Sequence, residues 1–232
     1  MRLYVYLVAL MMGMSAWASE KTMSLETTTE TKHSDVSTQR EIDVQLDQEK
    51  SGLEGYSNEE LQELFVSSKK VAEQGVADAQ YNLGVMYYNG QGVGQDYEKA
   101  IEWYEKAAEQ GDADAQYQLS VIYYEGQGVE KDNIKAEEWA EKAALGGNVY
   151  AQFYLGYAYD LGEGVEQDYK KAAKWYEMAA KNGDLEAQVN LGTLYYDGTG
   201  VEQNSEIAKK WFTMAAEQGS EIAKENLEVM KE

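Results

Sequence analysis

Residues 79–111 read AQYNLGVMYYNGQGVGQDYEKAIEWYEKAAEQG, and this stretch decides the fold because it returns three more times. The copies begin at Ala115, Ala151 and Ala187, and no insertion breaks the 36-residue step between them. A fixed period of this size is typical of a solenoid, in which each unit packs only against its neighbours. The same step separates three sets of residues: Trp103, Trp139, Trp175 and Trp211; Gln80, Gln116, Gln152 and Gln188; and Gly75, Gly111, Gly147, Gly183 and Gly219.

Each copy predicts two helices joined by a glycine turn. In the first copy, residues 77–88 have an apolar face, and the Gly-Gln-Gly turn at residues 90–92 ends this helix. Asp96 is the predicted N-cap of the second helix, which ends at residues 110–111. Gly84 lies inside the first helix, where glycine costs about 1 kcal/mol relative to alanine, so we expect a neighbouring helix to approach closely. The equivalent residues are also small: Ser120, Gly156 and Gly192.

The apolar residues of the two helices predict the contact between them. We expect three residues from each helix to meet in the core: Leu83, Met86 and Tyr87 with Ala100, Trp103 and Ala107. Tyrosine recurs on the buried side of all four copies: Tyr87, Tyr123, Tyr159 and Tyr195.

The N-terminal residues differ from the repeats. One basic residue, Arg2, precedes an apolar run over residues 3–14, and Ala16 and Ala18 occupy the positions that a signal peptidase reads. The run is shorter than the roughly 20 apolar residues that span a bilayer. We therefore predict a secretory signal peptide cleaved after Ala18, and a mature protein that is periplasmic or secreted and has no direct membrane span. An uncleaved N-terminal anchor is the alternative.

Residues 19–57 contain few bulky apolar residues and many Ser, Thr, Glu and Gln, a composition typical of a flexible tether. Residues 42–46 (IDVQL) are an exception, because apolar and polar residues alternate there as in a strand. This segment either adds to the sheet edge of a partner or is extended linker.

Half-units flank the four repeats. Ser57 and Glu60 fit a capping box, and the helix that they begin ends in residues 72–75 like the second half of a repeat. Residues 221–231 match the first half of a repeat. Solenoids need such terminal caps, because an end repeat otherwise exposes its apolar face.

The acidic composition limits the partners. The chain has 20 basic and 42 acidic side chains, and residues 58–232 carry 15 lysines and 33 acids, a net charge of −18. Because phosphate-binding surfaces need clustered Lys or Arg, we expect no nucleic acid partner, and anionic lipid headgroups are disfavoured for the same reason.

Composition also excludes several kinds of chemical site. Cysteine is absent, which removes disulfides, thiolate metal sites and cysteine nucleophiles, and the single histidine, His33, lies in a Thr/Ser/Glu-rich stretch. Ser67 and Lys70 form an S-x-x-K pair, but the S-D-N and K-T-G motifs of penicillin-recognising enzymes are missing. The glycine turns lack the Lys-Ser/Thr of a phosphate loop. We predict no enzyme activity, no catalytic residue, no metal and no cofactor.

The inter-helix loops carry a family resemblance. They read YYNGQGVGQD, YYEGQGVEKD, YDLGEGVEQD and YYDGTGVEQN, and with the flanking helices they resemble the Sel-one-like repeat family, relatives of the tetratricopeptide repeats with a longer loop. Ser120, Ala140 and Asn204 depart from the family pattern. The resemblance implies a right-handed α/α superhelix that acts as an adaptor between proteins. Many bacterial members are exported, and some work in envelope regulation, secretion or host contact. A cysteine-rich branch is linked to β-lactam binding, and this cysteine-free chain departs from it.

Together these patterns predict an all-α protein: a right-handed α/α superhelix, or solenoid, of four full 36-residue helix-turn-helix repeats with half-repeat caps at both ends. The predicted organisation is a signal peptide at 1–18, a tether at 19–57, a capping helix at 58–76, repeats at 77–112, 113–148, 149–184 and 185–220, and a capping helix at 221–232.

By the same resemblance, positions i, i+3, i+7 and i+10 of each first helix face an inner groove that binds a partner. These residues are Asp78, Tyr81, Val85 and Tyr88; Asp114, Tyr117, Val121 and Tyr124; Tyr150, Phe153, Tyr157 and Asp160; and Glu186, Val189, Thr193 and Tyr196. Tyrosine is a favoured contact residue because it offers a large area and a polar tip at a low entropy cost. The alternative is that the Tyr81 and Tyr88 series only pack between repeats.

The favoured function is a non-enzymatic interaction scaffold of the bacterial envelope, whose acidic, tyrosine-rich groove binds a protein or peptide segment with basic and apolar residues. A periplasmic regulator of a sensor or secretion complex is the second hypothesis. A cell-wall or β-lactam-directed hydrolase is the third.

Overall fold

The computed structural model describes residues 56–231. The signal peptide, His33 and residues 42–46 lie outside this range, as does the tether except for its last two residues. Within the described range the chain forms ten helices and no strand. The helices are α1 Asn58–Ala72, α2 Ala77–Asn89, α3 Tyr97–Glu109, α4 Ala113–Glu125, α5 Asn133–Leu145, α6 Val149–Leu161, α7 Tyr169–Lys181, α8 Leu185–Asp197, α9 Ser205–Glu217 and α10 Glu221–Val229.

The chain divides into two compact units, one ending at Leu64 and one beginning at Phe65. In the second unit, α2 to α9 pack as four pairs, and the second helix of each pair packs on the first helix of the next. This nearest-neighbour packing is that of an α/α solenoid, as the sequence predicted. Its last helix, α10, packs on α9.

The predicted helix boundaries rest on local hydrogen bonds. The amide of Glu60 donates to Ser57 Oγ at 3.3 Å, and the amide of Ser57 donates to Glu60 Oε2 at 2.7 Å, which confirms the capping box. The carboxylate of Asp96 accepts from the amide of Lys99 at 3.1 Å and caps α3. Gly90 ends α2 in the left-handed region, with a φ of 71°.

One core prediction needs correction. The predicted partners of Trp103 are buried, but Trp103 itself is only partly buried, and its neighbour Tyr104 supplies the fully buried ring, with 1 % of its surface exposed. Successive helical residues point about 100° apart, so a one-residue error in the centre of the buried face exchanges the two side chains. Trp103 instead lies at the edge, with Lys106 Nζ 3.8 Å from its ring centroid.

The small residue inside each first helix has a specific neighbour. A Cβ on Gly84 would lie 2.6 Å from Tyr104 Cδ1, and a Cβ on Gly156 would lie 2.5 Å from Tyr176 Cδ1. Gly192 meets the ring of Phe212 in the same way, at 2.7 Å. The close approach expected at these glycines is therefore made by an aromatic ring from the second helix of the same repeat.

Repeat 2 departs from this arrangement at both positions. Ser120 replaces the glycine of the first helix, and Ala140 replaces the aromatic residue of the second helix. At this contact the first helix therefore has a larger side chain than in the other repeats, and the second helix has a smaller one. The 36-residue period places Tyr154 of repeat 3 opposite Ala140, as it places Asn190 opposite Tyr176, to which Asn190 hydrogen bonds. Tyr154 therefore occupies the position that would face the aromatic ring of repeat 2 if Ala140 were Tyr or Phe, as its equivalents are.

Buried glutamines connect successive repeats. The side-chain amide of Gln152 donates to the carbonyl of Ala144, and its Oε1 accepts from Asn182 Nδ2, both at 2.9 Å. Gln80 and Gln188 make the same two kinds of bond, with Gln110 and Gln218 as donors. In repeat 2 the donor position holds Gly146, so Gln116 Oε1 is buried without a hydrogen-bond partner.

Candidate functional site

The residues predicted to line the groove lie on α2, α4, α6 and α8, four on each helix, and we call this set the first-helix face. Most of its members are at least partly exposed, while Tyr157 and Val189 are buried. Tyr150 and Tyr196 are the most exposed of its aromatic residues, at 44 % and 37 %. The face therefore has accessible tyrosines in repeat 3 and repeat 4.

Aromatic contacts connect the first-helix face to the rest of the stack. The rings of Tyr117 and Tyr150 lie 6.1 Å apart across the junction of repeats 2 and 3. Tyr81 packs at 5.8 Å against the buried ring of Tyr104 in its own repeat. Each tyrosine thus has one side held by the fold, which lowers the entropy cost of presenting the other side to a partner.

Two tyrosines of this face also hydrogen bond to the loop of the next repeat. The hydroxyl of Tyr88 donates to Gln127, and that of Tyr124 donates to Glu163 Oε1 at 3.0 Å. Burial, and then the charge of Glu163, raises the pKa of Tyr124 to about 12. Tyr88 and Tyr124 therefore have a structural role between repeats, whatever else they contact.

Repeat 3 presents a different set of side chains. Asp160 stands where Tyr88, Tyr124 and Tyr196 stand in the other repeats, and it accepts a hydrogen bond from the buried hydroxyl of Tyr176 at 3.3 Å. Phe153 connects this pair to Tyr157, because its ring lies 5.9 Å from Tyr176 and 6.5 Å from Tyr157. Burial raises the pKa of Asp160, and the hydrogen bond from Tyr176 offsets part of that shift.

A small cavity lies between repeats 2 and 3. Its lining residues are Tyr124, Asn133, Glu137, Tyr154, Leu155, Ala158, Glu163, Gly164 and Val165. A Cβ on Gly128 or on Gly200 would collide with Tyr97 or Tyr169, whereas nothing lies within 4 Å of one on Gly164. The equivalent of these tyrosines in repeat 2 is Asn133. Because the close atoms of Tyr97 and Tyr169 are backbone atoms and Cβ, which asparagine also has, the space at Gly164 reflects a wider separation of the two segments there.

Two residues of this region, Glu163 and Tyr154, are not among those that the sequence predicts for the site. Glu163 belongs to an inter-helix loop that was interpreted only as a turn, and Tyr154 lies outside the i, i+3, i+7 and i+10 series. One feature of the sequence could have predicted this region: two residues of one helix, Asn133 and Ala140, both depart from the repeat pattern. Two large-to-small changes at one junction predict an altered contact with the next repeat.

The acids at the start of the first helices are exposed or half-buried. Asp78 and Asp114 are exposed, Glu186 is partly buried, and Asp114 accepts a hydrogen bond from Asn148 Nδ2 at 2.8 Å. Burial, and also the charges of Asp114 and Asp78, raises the pKa of Asp112, although its hydrogen bond from the amide of Ala115 opposes this. Repeats 1, 2 and 4 therefore have a carboxylate at this position, whereas repeat 3 has Tyr150.

Other kinds of site find little support in the described range. Residues 56–231 contain no group of His, Cys, Asp and Glu side chains that could hold a metal ion. Ser67 and Lys70 are both exposed on α1, which leaves them outside any desolvated pocket. The helices of this part of the chain are too short or too polar to span a bilayer.

The geometry defines the class of protein: an α-helical repeat protein with an aromatic and acidic surface. The Sel1 repeat model matches residues 77–112, 113–148, 149–184 and 185–220, so the chain belongs to the Sel1 repeat family. Proteins of this family generally mediate protein–protein interactions and are typically non-catalytic scaffolds.

Two solved structures resemble the chain over most of its length. A Sel1 repeat protein from Oxalobacter formigenes is 37 % identical, with a TM-score of 0.71, and covers 73 % of this chain and 50 % of its own. The Escherichia coli protein c5321, described as a protective antigen of uropathogenic strains with an SLR fold, is 36 % identical, with a TM-score of 0.65. That match covers 80 % of this chain and 43 % of c5321, so the chain spans half or less of either relative. No curated protein matches the chain.

Proposed function

We propose that this protein is a non-enzymatic scaffold of the bacterial envelope, and that its first-helix face binds a segment of a partner protein. The observation that supports this most is the row of tyrosines whose rings are partly exposed and held on one side by the fold, as at Tyr117 and Tyr150. Buried aromatic anchors surrounded by polar residues supply most of the affinity in protein interfaces.

The charge of the body favours a partner with basic residues. Residues 58–232 carry a net charge of −18, and Asp78 and Asp114 are exposed on the face itself. Such a field mainly raises the association rate and selects the sign of the partner. The expected partner segment therefore has Lys or Arg among apolar residues.

The test compares tyrosines of equal exposure on and off the face. Tyr196 belongs to the first-helix face and Tyr169 begins the second helix of repeat 3, and each exposes 37 % of its surface. After the partner has been identified by crosslinking in the envelope fraction, Tyr196→Ala and Tyr150→Ala should weaken its binding, by about 2 kcal/mol for a hot spot. Tyr169→Ala should leave the affinity unchanged.

Circular dichroism must first show that all three variants are folded. Equal affinities for wild type and the folded Tyr150→Ala and Tyr196→Ala variants would place the interface elsewhere on the molecule.

An exported location is part of this proposal. The apolar N-terminal run and the small residues Ala16 and Ala18 support it, and c5321, a similar protein, is described as a protective antigen. Mass spectrometry of the mature protein should find an N-terminus at Ser19. Retention of Met1 would instead indicate an uncleaved anchor.

A further inference from the structure

The first-helix face contains one buried hydroxyl that has no hydrogen-bond partner. Tyr157 is 7 % exposed, and its hydroxyl oxygen is buried and makes no hydrogen bond to any residue in the range 56–231. Buried polar groups are almost always paired, because an unpaired one costs about 1–3 kcal/mol. Repeats 1, 2 and 4 hold Val85, Val121 and Thr193 at this position, so the phenol is particular to repeat 3.

Asp160 follows Tyr157 by three positions on α6, and Phe153 packs against both Tyr157 and Tyr176, the residue that donates to Asp160. Burial, and then the negative charges of Glu163 and Asp160, raises the pKa of Tyr157. Among the described residues, the carboxylate of Asp160 accepts one hydrogen bond, from Tyr176 at 3.3 Å, and the carboxylate of Glu163 accepts the bond from Tyr124. Each carboxylate keeps further acceptor capacity, because an ionised carboxylate has about four lone-pair sites.

No cation of the described chain neutralises this cluster. Within residues 56–231 every ion pair joins a lysine to an acid three or four positions away, as in Lys181–Glu177, and none involves Asp160 or Glu163. The nearby Lys131 lies over the ring of Tyr124, 4.3 Å from its centroid.

Asp160 is also badly placed for the stability of its own helix. It lies in the last turn of α6, where the helix dipole is negative and cations are preferred. A partly buried carboxylate without an ion-pair partner costs stability at this end, and the hydrogen bond from Tyr176 offsets only part of that cost. Residues that break a local rule are concentrated at functional sites.

We propose that Tyr157, Asp160 and Glu163 form a receptor for one cationic side chain, arginine or lysine, of the partner segment. The two carboxylates accept charge-assisted hydrogen bonds from the cation. The Tyr157 side chain, whose hydroxyl is buried in the unbound protein, shifts outward on binding, and the hydroxyl then donates to a backbone carbonyl of the same segment. The flanking rings of Phe153 and Tyr124 contact the aliphatic part of that side chain. This inference rests on the proposed function of the first-helix face, and it assigns the charged anchor to repeat 3.

The experiment uses a display library of random dodecapeptides selected on the folded protein. Wild type should enrich peptides with Arg or Lys at one fixed position among apolar residues. Asp160→Asn should lose that positional preference, while Asp78→Asn, which removes the same charge from an exposed position of the face, should retain it. Asp160→Asn keeps an oxygen that can accept from Tyr176, so it is expected to fold.

A double-mutant cycle with one enriched peptide then measures the contact. Replacing its fixed Arg with citrulline should weaken binding to wild type about 10-fold or more, and binding to Asp160→Asn about 2-fold or less. Tyr157→Phe should weaken the Arg peptide several-fold, since only the hydroxyl is removed.

The outcomes separate the two proposals. If no peptide is enriched, or if enrichment survives Tyr150→Ala and Tyr196→Ala, the first-helix face is not the interface and both proposals fail. If peptides are enriched through the face, but citrulline costs the same in wild type and Asp160→Asn, only the cation receptor is overturned.

Discussion

At the scale of single residues, the protein is organised by matched side-chain volumes. The helical glycines Gly84 and Gly156 face tyrosine rings, while Ser120 faces Ala140. Protein interiors are packed as densely as organic crystals, so a change on one side of such a pair requires a change on the other.

Gly156→Leu should be strongly destabilising. Even a Cβ at this position would lie 2.5 Å from Tyr176, and overpacking costs about 1–3 kcal/mol or more. Thermal unfolding should show a melting temperature lower by several degrees. An unchanged melting temperature would contradict the packing role of Gly156.

A matched test copies the pair found in repeat 2. Gly156→Ser should destabilise the wild type by about 1 kcal/mol or more and should have a much smaller effect when Tyr176 is replaced by alanine. Chemical denaturation of both single variants and the double variant measures the coupling. Additive effects would show that the two positions are independent.

The buried glutamines provide a second comparison. Gln152→Met removes two hydrogen bonds, whereas Gln116→Met removes one bond, to the carbonyl of Ala108, together with an acceptor that has no partner. Gln152→Met should therefore lower the free energy of unfolding by about 1 kcal/mol more than Gln116→Met. Urea denaturation of the two variants measures this difference, and equal losses would contradict the account.

The sequence predicts which positions hold small residues, but it does not predict which side chains they contact. The period identified the small residues at Gly84 and Ser120, because every copy can be compared with the others. It did not identify the ring of Tyr104 as the neighbour of Gly84, since Trp103 and Tyr104 are adjacent and both aromatic. Which of the two is buried depends on the angle at which the helices cross, and no single copy of the sequence specifies that angle.

At the scale of elements, α6 differs most from its equivalents. It carries Tyr150, Phe153 and Tyr157 on the first-helix face, and Asp160 lies in its last turn. The sequence placed Asp160 on this face, yet the partner of its carboxylate, Tyr176, came only from the structure. Tertiary hydrogen bonds of this kind connect different helices and leave no periodic signal in the sequence.

The end of α6 predicts a pH-dependent change in stability. Because the pKa of Asp160 is higher in the folded protein than in the unfolded chain, ionisation of Asp160 destabilises the fold as pH rises above about 3.9. Asp160→Asn should therefore raise the melting temperature at pH 7, by about 1–3 °C. That gain should disappear at a pH below the ordinary Asp pKa.

Melting curves of the variant and the wild type across this pH range are the measurement. Exposed Asp78 provides the control, because Asp78→Asn also removes one negative charge. If Asp78→Asn reproduces the whole effect, net charge is the cause and the burial of Asp160 is not.

At the scale of the whole molecule, charge opposes the compact state. Residues 58–232 carry a net charge of −18, and self-repulsion of this kind destabilises a folded chain. Raising the salt concentration from about 0.01 M to about 0.1 M shortens the screening length from about 30 Å to about 10 Å. The melting temperature should rise by several degrees, equally in NaCl and KCl. A constant or falling value would show that repulsion is not a major term.

The pairing of Tyr154 with Ala140 also fixes the order of the repeats. Removing residues 113–148 would join repeat 1 to repeat 3 and bring Tyr154 opposite Tyr104, where two rings compete for the space of one. Cutting inside the turns of repeats 2 and 3 instead would bring Ser120 under Tyr176. Each of these two deletions breaks one volume match, and the first needs a repair such as Tyr154→Asn. Despite their similar sequences, the four units are not interchangeable, because repeat 2 is adapted to the repeat that follows it.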